Sequence, residues 1–553
     1  MIKFFLAVSG WTLISRFAGL FRDLMMAAYL GTGVIAEAFQ AAFSLPNLFR
    51  RFFAEGAFNL AFVPLYTKKL ATQDGNEEFA SQALSTLAGI LILLTIISQL
   101  FMPYFVYAMA SGFEGNDRFE LAVELSRIIF PYIIFISLTA LFSGILNSHR
   151  HFIAAAAAPV ILNIILILSM ILSIKMGWDT GVTLSWGVFC AGIAQMGLVY
   201  IAVRRLGVKL TLQMPKFTPD IRKLFLLAIP AIFTGGVVQI NLLVGRQVAS
   251  YFEGAFAWLY YADRLYQLPL GVVGIAIGVV LLPELSRTLI NKNSTDGQNA
   301  FNRALEFSLL LTIPSAIALI IIPLSLISVL FERGAFTNTD SISTAHALAI
   351  YGLGLPAFVL QKVLQPLYFA REDTKSPFKF ALIAMLLNVG LAIGLSFYIG
   401  FLAAAIGTSV SSWAMILLLW NGCKKMGKSS RIDTRLKHNL PFIIISSILM
   451  GFIIYIVQYF LNNSLHTPNP SITSLPFESL TVVKTRILLA EEFAPGTVTA
   501  GSTLVANDAA DDTEAIESDM MLKSAVCYSK NERGNRISSV SLNYIFYDYS
   551  INL

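Results

Sequence analysis

The sequence predicts an all-α polytopic membrane protein: two six-helix lobes in parallel repeat around a central cavity, plus one extra helix and a polar C-terminal tail. Three observations predict this fold class: an apolar composition, basic residues gathered in alternate loops, and an internal repeat. Of the 553 residues, 56% are hydrophobic and 13% are charged, whereas globular domains average about 45 to 50% and about 25%. With a mean hydropathy of +0.70, the composition excludes a water-soluble fold and favours a bilayer-spanning one.

A helical window identifies thirteen apolar stretches long enough to span a bilayer. They cover residues 4–30, 34–66, 82–111, 121–147, 153–175, 181–203, 223–251, 256–286, 304–331, 341–369, 377–399, 401–422 and 440–461. The first stretch lacks a small-residue cleavage site, so we expect it to be retained as a membrane helix. The stretch 34–66 is longer than the hydrocarbon layer, and Pro46 predicts a kink that would let it fit.

Basic residues gather in alternate loops between these stretches. Lys68 and Arg205 are typical of one set of loops, whereas the other set contains only Arg118, Lys175 and Arg333. Because Lys and Arg favour the cytoplasmic side, the basic loops and the N-terminus are predicted to be cytoplasmic. This bias also explains the net charge of +6, and it makes a nucleic-acid-binding patch the weaker interpretation of the basic loops.

An internal repeat appears when prolines and asparagines of the two halves are compared. Four landmark pairs are separated by about 220 residues: Pro46 and Pro269, Pro64 and Pro283, Pro131 and Pro356, and Asn163 and Asn388. That interval spans six helices, an even number, so both halves should cross the membrane in the same direction. Repeats of this kind usually enclose a central site with alternating access, and a duplication without transport is the alternative.

These patterns divide the chain into five parts. They are an N-terminal six-helix lobe at 1–205, a basic cytoplasmic linker at 206–222, a C-terminal six-helix lobe at 223–425, an additional transmembrane helix 13 at 426–465, and an atypical polar tail at 466–553. The middle of the tail, residues 491–520, is rich in Ala, Gly, Thr, Asp and Glu, a composition typical of disordered or weakly structured segments.

Charged residues inside the first two stretches mark the candidate site. They are Arg16, Arg22, Asp23, Glu37, Arg50, Arg51 and Glu55. Exposing each to lipid would cost ~2.5 to 3.5 kcal/mol, so they must face protein or water. The second lobe adds Arg246, Asp263, Arg264, Glu284 and Lys362. The combined set has a positive surplus that a dianionic ligand such as a diphosphate diester would balance, and guanidinium groups suit bidentate phosphate recognition.

The alternative interpretation is that these charges form internal ion pairs. Arg51 and Glu55 are four residues apart, and Arg16 and Asp23 return to nearly the same face of one helix. Arg16, Arg22 and Arg50 fit this alternative less well, because few acidic residues are near them in the sequence.

Catalytic and metal-binding patterns are absent from the sequence. It contains no Walker motif, no dinucleotide-binding glycine pattern and no Ser/His/Asp arrangement, and its three cysteines are too far apart to suggest a disulfide framework or a zinc site. The triplet His149, Arg150 and His151 is typical of a solvated loop, and the tyrosines of YYADRLYQLP, residues 260–269, are typical of an interfacial aromatic belt. We therefore predict a non-enzyme without a cofactor.

Three strings resemble the MurJ/MviN family of bacterial lipid II flippases: SRFAGLFRD at 15–23, LPNLFRRFFAEGAF at 45–58 and YYADRL at 260–265. The likeness covers about residues 1–460. It implies the multidrug/oligosaccharidyl-lipid/polysaccharide exporter fold, with a V-shaped cavity between two lobes. It also implies transfer of the undecaprenyl-diphosphate-linked peptidoglycan precursor, lipid II, from the inner to the outer leaflet of the bacterial cytoplasmic membrane.

The resemblance assigns roles to individual residues. The cavity arginines of the family match Arg16, Arg22, Arg50 and Arg264 here. The acidic residue that follows the second of these arginines in the family matches Asp23. Glu37 falls at a commonly acidic position. With Arg51, Glu55 and Asp263, it completes a set of supporting cavity charges. The chain departs from the family in one respect: the family has fourteen helices, whereas we expect thirteen here, which puts the lipid-tail groove in doubt.

The sequence thus predicts a lipid II flippase that acts as a monomer in contact with membrane lipids and lipid II. We expect the membrane potential or an ion gradient, with no identified coupling ion, to drive it. A flippase for another polyprenyl-linked glycan or a drug exporter of the same fold is the main alternative. A membrane glycosyltransferase would need catalytic carboxylates over the outer face, where the loops are short, and a non-transporting scaffold would leave the buried arginines unexplained.

Overall fold

The computed structural model describes residues 2–50, 57–73, 75–271, 294–371, 373–424, 426–427 and 430–465. Within these ranges the chain is helical and contains no β-strand, which confirms the predicted all-α class. All of them belong to one compact unit. The predicted tail at 466–553 lies outside the described residues.

The first half of the chain contains nine α-helices in its described part. They are α1 (Ile2–Leu30), α2 (Val34–Arg50), α3 (Ala57–Thr72), α4 (Asn76–Leu100), α5 (Met102–Met109), α6 (Asp117–Ile129), α7 (Tyr132–Ser148), α8 (Ile153–Met176) and α9 (Thr180–Arg205). A short 3₁₀ helix, Ser111–Phe113, lies between α5 and α6. α1 packs on α8, α2 on α6, and both α7 and α8 on α9.

The second half contains eight α-helices in its described part. They are α10 (Pro219–Ser250), α11 (255–271), α12 (Ser294–Ile321), α13 (Pro323–Phe331), α14 (Asn338–Phe369), α15 (Lys375–Ile399), α16 (Leu402–Cys423) and α17 (Thr434–Leu465). α10 packs on α15, α15 and α14 on α16, and α12 on α14. The additional helix predicted at 426–465 is α17, which packs on α12. α10 begins at Pro219, within the range predicted for the linker, 206–222.

Eight of the described helices are long and apolar enough to cross a membrane, and a ninth crossing follows if the bent pair α6 and α7 is counted as one span. Each of the thirteen predicted stretches contains at least one described helix. α1, with 29 residues, is long enough as well, although it carries Arg16, Arg22 and Asp23. The chain is therefore a multi-pass membrane protein.

Three stretches predicted to be continuous are divided by the structure. α4 and α5 separate at Phe101, α12 and α13 separate at Ile322, and α6 and α7 meet at a bend of 42°. A proline lies at each break: Pro103 and Pro323 in the first turn of the helix that follows, and Pro131 directly before α7. Proline lacks the N–H that would continue the hydrogen-bond ladder, which explains the divisions.

The repeat landmarks Asn163 and Asn388 make corresponding contacts. Asn163 on α8 donates from Nδ2 to the carbonyl of Ser15 on α1, at 3.0 Å. Asn388 on α15 donates from Nδ2 to Oδ1 of Asn241 on α10, at 2.5 Å. In each half, a buried asparagine joins the fifth predicted span to the first.

Candidate functional site

The centre of the candidate site is a carboxylate held by two arginines from different helices. Asp23 on α1 accepts hydrogen bonds from Nε and Nη2 of its neighbour Arg22, at 3.0 and 2.6 Å. Its second oxygen lies 3.2 Å from Nε of Arg264 on α11. That Nε forms no hydrogen bond within the described part of the chain, so its approach to Asp23 is an ionic contact without hydrogen-bond alignment. The three side chains carry one net positive charge where α1 meets α11.

The three charged groups differ in burial. Arg22 and Asp23 are only 5% and 1% exposed, whereas 33% of the Arg264 side chain is accessible. A buried charge without a partner is strongly destabilising, so Arg22 and Asp23 need each other or an equivalent ligand. Arg264 is the member of the cluster that a ligand can reach without first displacing protein.

Tyr260 joins all three charges through its hydroxyl group. The hydroxyl donates to Oδ1 of Asp23 at 3.1 Å, and it accepts from Nη2 of Arg264 at 3.0 Å and from Nη2 of Arg22 at 3.3 Å. Cζ of Arg264 also lies 4.6 Å from the centre of the tyrosine ring, a cation–π distance. The sequence favours an interfacial belt for this tyrosine and does not indicate that its hydroxyl group bonds to the three charged residues. The four-residue spacing to Arg264 was the available signal, since it places both side chains on one helix face.

Asn163 on α8 is a further hydrogen-bond partner of Arg22. Its Oδ1 accepts from Nη1 of Arg22 at 2.9 Å, while its Nδ2 holds the backbone carbonyl of Ser15. A Cβ built at Gly19 would lie 3.5 Å from this amide, in ordinary contact. Asn163 was predicted only as a repeat landmark, although a polar residue within the apolar α8 is a signal of a buried contact.

Arg16 lies against α11 and does not pair with Asp23. A Cβ built at Gly271 would be only 2.6 Å from Cζ of Arg16, so the glycine gives the guanidinium room to approach the helix. Nε of Arg16 is buried and has no hydrogen-bond partner within the described residues. The ion pairs of Asp23 are to Arg22 and Arg264, so the alternative pairing of Arg16 with Asp23 is wrong.

Arg50 is the last residue of α2, whereas the cluster of Arg22, Asp23 and Arg264 lies on α1 and α11. Its Nε donates to Oδ1 of Asn47 at 3.2 Å, and Nδ2 of Asn47 donates to the carbonyl of Phe43 at 2.7 Å. Arg51 and Glu55, together with the ion pair predicted between them, lie outside the described residues.

The two remaining supporting charges, Glu37 and Asp263, also have hydrogen-bond partners. Glu37, which is 1% exposed, accepts from Nη1 of Arg118 at 2.9 Å and from the backbone N–H of Phe256 at 3.0 Å. It therefore joins α2 to α6 and to the first turn of α11. Asp263 accepts a hydrogen bond from the side-chain amide of Gln267, one turn further along α11.

A second set of contacts joins the halves at the predicted outer end. The backbone N–H of Ala335 donates to the carbonyl of Ala28 at 2.8 Å. Gly334, with φ of +58°, makes this approach possible, because a Cβ there would lie 2.1 Å from the same carbonyl oxygen. Asp340 at the start of α14 accepts from Thr32 at 2.5 Å and from Nε1 of Trp258 at 2.8 Å. The end of α1 is thereby fixed to α11 and α14.

Comparison with known families gives a match over most of the chain. The family model described as "Lipid II flippase MurJ" matches residues 26–468. A probable lipid II flippase MurJ of Rhizobium tropici is 45% identical over 463 residues, which cover 82% of this chain and 87% of that protein. The lipid II flippase MurJ of Burkholderia cenocepacia is 33% identical over 440 residues, covering 77% of this chain and 84% of that protein.

Solved structures show the same fold. A structure described as "Lipid II flippase MurJ, inward closed conformation" superposes with a TM-score of 0.72 at 29% identity, covering 89% of this chain and 98% of that one. An inward-facing multidrug resistance MATE family transporter of the MOP superfamily superposes with a TM-score of 0.64 at 13% identity, covering 77% of this chain and 98% of that one. The second likeness concerns the fold alone.

Proposed function

This chain belongs to the MurJ family of lipid II flippases, and we propose that it moves lipid II from the inner to the outer leaflet of the cytoplasmic membrane by alternating access. The observation that carries the proposal is the cluster of Arg22, Asp23 and Arg264, whose net positive charge joins the two halves of the chain. A lipid diphosphate is the ligand whose charge and geometry fit two converging guanidinium groups.

In this proposal Asp23 is the internal counter-ion of the unloaded transporter. It occupies both arginines when no diphosphate is present, through contacts of 2.6 Å to Arg22 and 3.2 Å to Arg264. A diphosphate would first meet the accessible Arg264 and then compete with Asp23 for the guanidinium groups. Release would be aided by the return of Asp23 to its two partners, so the site need not hold its cargo too tightly.

Other site residues have graded roles in the proposal. Arg16, beside Gly271, and Arg50 extend the positive surface that receives the diphosphate, and Asp263 with Arg51 and Glu55 tunes its charge. Glu37 acts differently, because its contacts with Arg118 and the backbone of Phe256 tie α2 and α6 to α11. We propose that this tie keeps the outer side closed while the cavity is open to the cytoplasm.

We further propose that the helices form two six-helix lobes that rock about the central cluster, with the N-terminus in the cytoplasm and the protein acting as a monomer. The packing of α1 on α8 in the first half, and of α10 on α15 and α16 in the second, supports the two lobes, and the packing of α10 on α3 joins them. The alternation of basic loops supports the orientation. Energy would come from the membrane potential or an ion gradient, since the sequence has no nucleotide-binding motif.

The proposal is tested by measuring outer-leaflet lipid II in cells depleted of their own flippase and supplied with variants of this protein. Arg264→Lys keeps the charge and removes the bidentate fork, so we expect it to lose most of the transport while protein abundance stays unchanged. Arg435→Ala is a matched control, because Arg435 is 67% exposed and pairs with Glu306 away from the cluster.

Full transport by Arg264→Lys would remove the clamp from this mechanism. If the wild-type chain failed to restore lipid II transport but moved another polyprenyl-linked glycan, the clamp would stand and the cargo would be different.

A further inference from the structure

The linker between the two halves is held along α4 by a regular set of hydrogen bonds. The backbone N–H groups of residues 209, 211 and 213 donate to side-chain oxygens of Glu77, Ser81 and Ser85, at 3.0, 3.1 and 2.9 Å. Four residues of extended chain cover ~13 Å, and eight residues of helix cover ~12 Å. Alternate linker residues therefore meet successive turns of α4, and we call residues 206–218 the strap.

The strap lies beside the start of the apolar run of α4. Residues 79–113 contain no charged residue, and their apolar part begins at Leu87, directly after the polar Ser85 and Thr86. Residues 87–109 would span ~34 Å as helix, enough for the ~30 Å hydrocarbon core. Pro215 of the strap lies 3.6 Å from a Cβ built at Gly89, near the start of this apolar part. The chain then returns toward the end of α4, where Thr218 donates to Gln82 at 2.8 Å.

The outward surface of the strap combines apolar and basic side chains. Leu212, Met214 and Phe217 are 78%, 83% and 73% exposed, although residues of this type are rarely left in water as a group. Lys209 and Lys216 are also exposed, on the same segment. The strap thus exposes apolar side chains near Pro215, which lies beside α4, and has a lysine at 209 and another at 216. This pattern is typical of contact with an anionic lipid surface.

We propose that the strap is a binding surface for anionic glycerophospholipids of the bilayer leaflet on its own side, with Met214 and Phe217 among the acyl chains and Lys209 and Lys216 at the phosphates. Charge complementarity selects this occupant, because a zwitterionic headgroup would not use the lysines and a soluble partner would not reach the level of Gly89. The proposal does not depend on lipid II being the cargo, because the strap lies on α4 and the central cluster lies on α1 and α11.

The test uses the full chain in nanodiscs of phosphatidylcholine with phosphatidylglycerol, with Met214→Cys carrying a bimane fluorophore in a background whose native cysteines are replaced. Brominated phosphatidylglycerol and brominated phosphatidylcholine are compared as quenchers at equal mole fraction. We expect strong quenching by both lipids and about fivefold preferential quenching by phosphatidylglycerol at low salt. Lys209→Gln/Lys216→Gln should abolish the preference while quenching at Met214→Cys remains.

A matched control site is Phe397→Cys, because Phe397 is 84% exposed and lies near the C-terminal end of α15, away from the strap. It should be quenched equally by both lipids. Absence of quenching at Met214→Cys would place the strap in water or under a protein partner and overturn the proposal. Equal quenching by the two lipids at Met214→Cys would also overturn it. Measurements of lipid II transport are not used, so failure here is distinguishable from failure of the flippase assignment.

Discussion

Replacing Asp23 by asparagine should have a larger effect on stability than replacing either of its arginine partners. The change keeps the shape of the side chain but leaves Arg22 and Arg264 facing each other without a carboxylate. Removing one partner from a buried ion pair costs ~3 to 5 kcal/mol. Arg22 is buried and bears this cost fully, whereas the Arg264 side chain is 33% accessible and its share is reduced by solvent screening. We therefore expect Asp23→Asn to lower the free energy of unfolding by ~3 kcal/mol.

The same reasoning predicts an order among single variants. Arg264→Gln leaves the Arg22–Asp23 pair intact and should be the mildest change. Arg22→Gln leaves Asp23 with the more distant Arg264, at 3.2 Å, and should be intermediate. Asp23→Asn should be the most destabilising, and Asp23→Asn/Arg264→Gln should recover part of the loss because one of the two uncompensated charges is removed.

Thermal unfolding of the purified protein, with and without inorganic pyrophosphate, measures this order. Asp23→Asn should lower the midpoint by roughly 3 °C, and pyrophosphate should raise the midpoint of this variant more than that of the wild type, since it replaces the missing anion. An unchanged midpoint for Asp23→Asn, or equal stabilisation of both proteins by pyrophosphate, would refute the counter-ion role of Asp23.

Three further predictions concern the contacts around this cluster and at the two ends of the molecule. Asn163→Leu should lower the free energy of unfolding by ~1 to 3 kcal/mol, because the buried guanidinium of Arg22 loses an acceptor. Lipid II transport should fall by more than protein abundance, which immunoblotting of the same cells would measure. Gly334→Ala should reduce accumulation of the protein in the membrane, because the added methyl group would lie 2.1 Å from a backbone carbonyl oxygen. Gly115→Ala, also at positive φ but with open space around it, should have a milder effect. Equal accumulation of the two variants would contradict the close approach at Gly334. Ser81→Ala/Ser85→Ala should release the strap and make trypsin cleavage within residues 206–218 faster in inside-out vesicles; unchanged cleavage would mean that the hydrogen bonds to α4 do not hold it.

The sequence predicts where the helices lie better than it predicts where they break. Apolar runs record burial in lipid over a whole helix, so all thirteen predicted stretches contain described helices. They do not record where a helix breaks, because one proline can end a helix, as Pro323 does before α13, or remain inside it, as Pro46 does in α2. Surrounding packing and alternative hydrogen bonds decide between these outcomes, and a single-sequence window does not contain them.

The sequence by itself determined that Arg22, Asp23 and Arg264 cannot face lipid, because the cost of burying a charge depends on residue type and not on the details of packing. It did not determine which of them would pair. Only the tertiary structure brought Arg264 to Asp23 and placed Tyr260 between them, because these contacts join helices more than 230 residues apart. The partners of a buried charge are fixed by the approach of whole helices, and that approach is set by packing over both halves of the molecule.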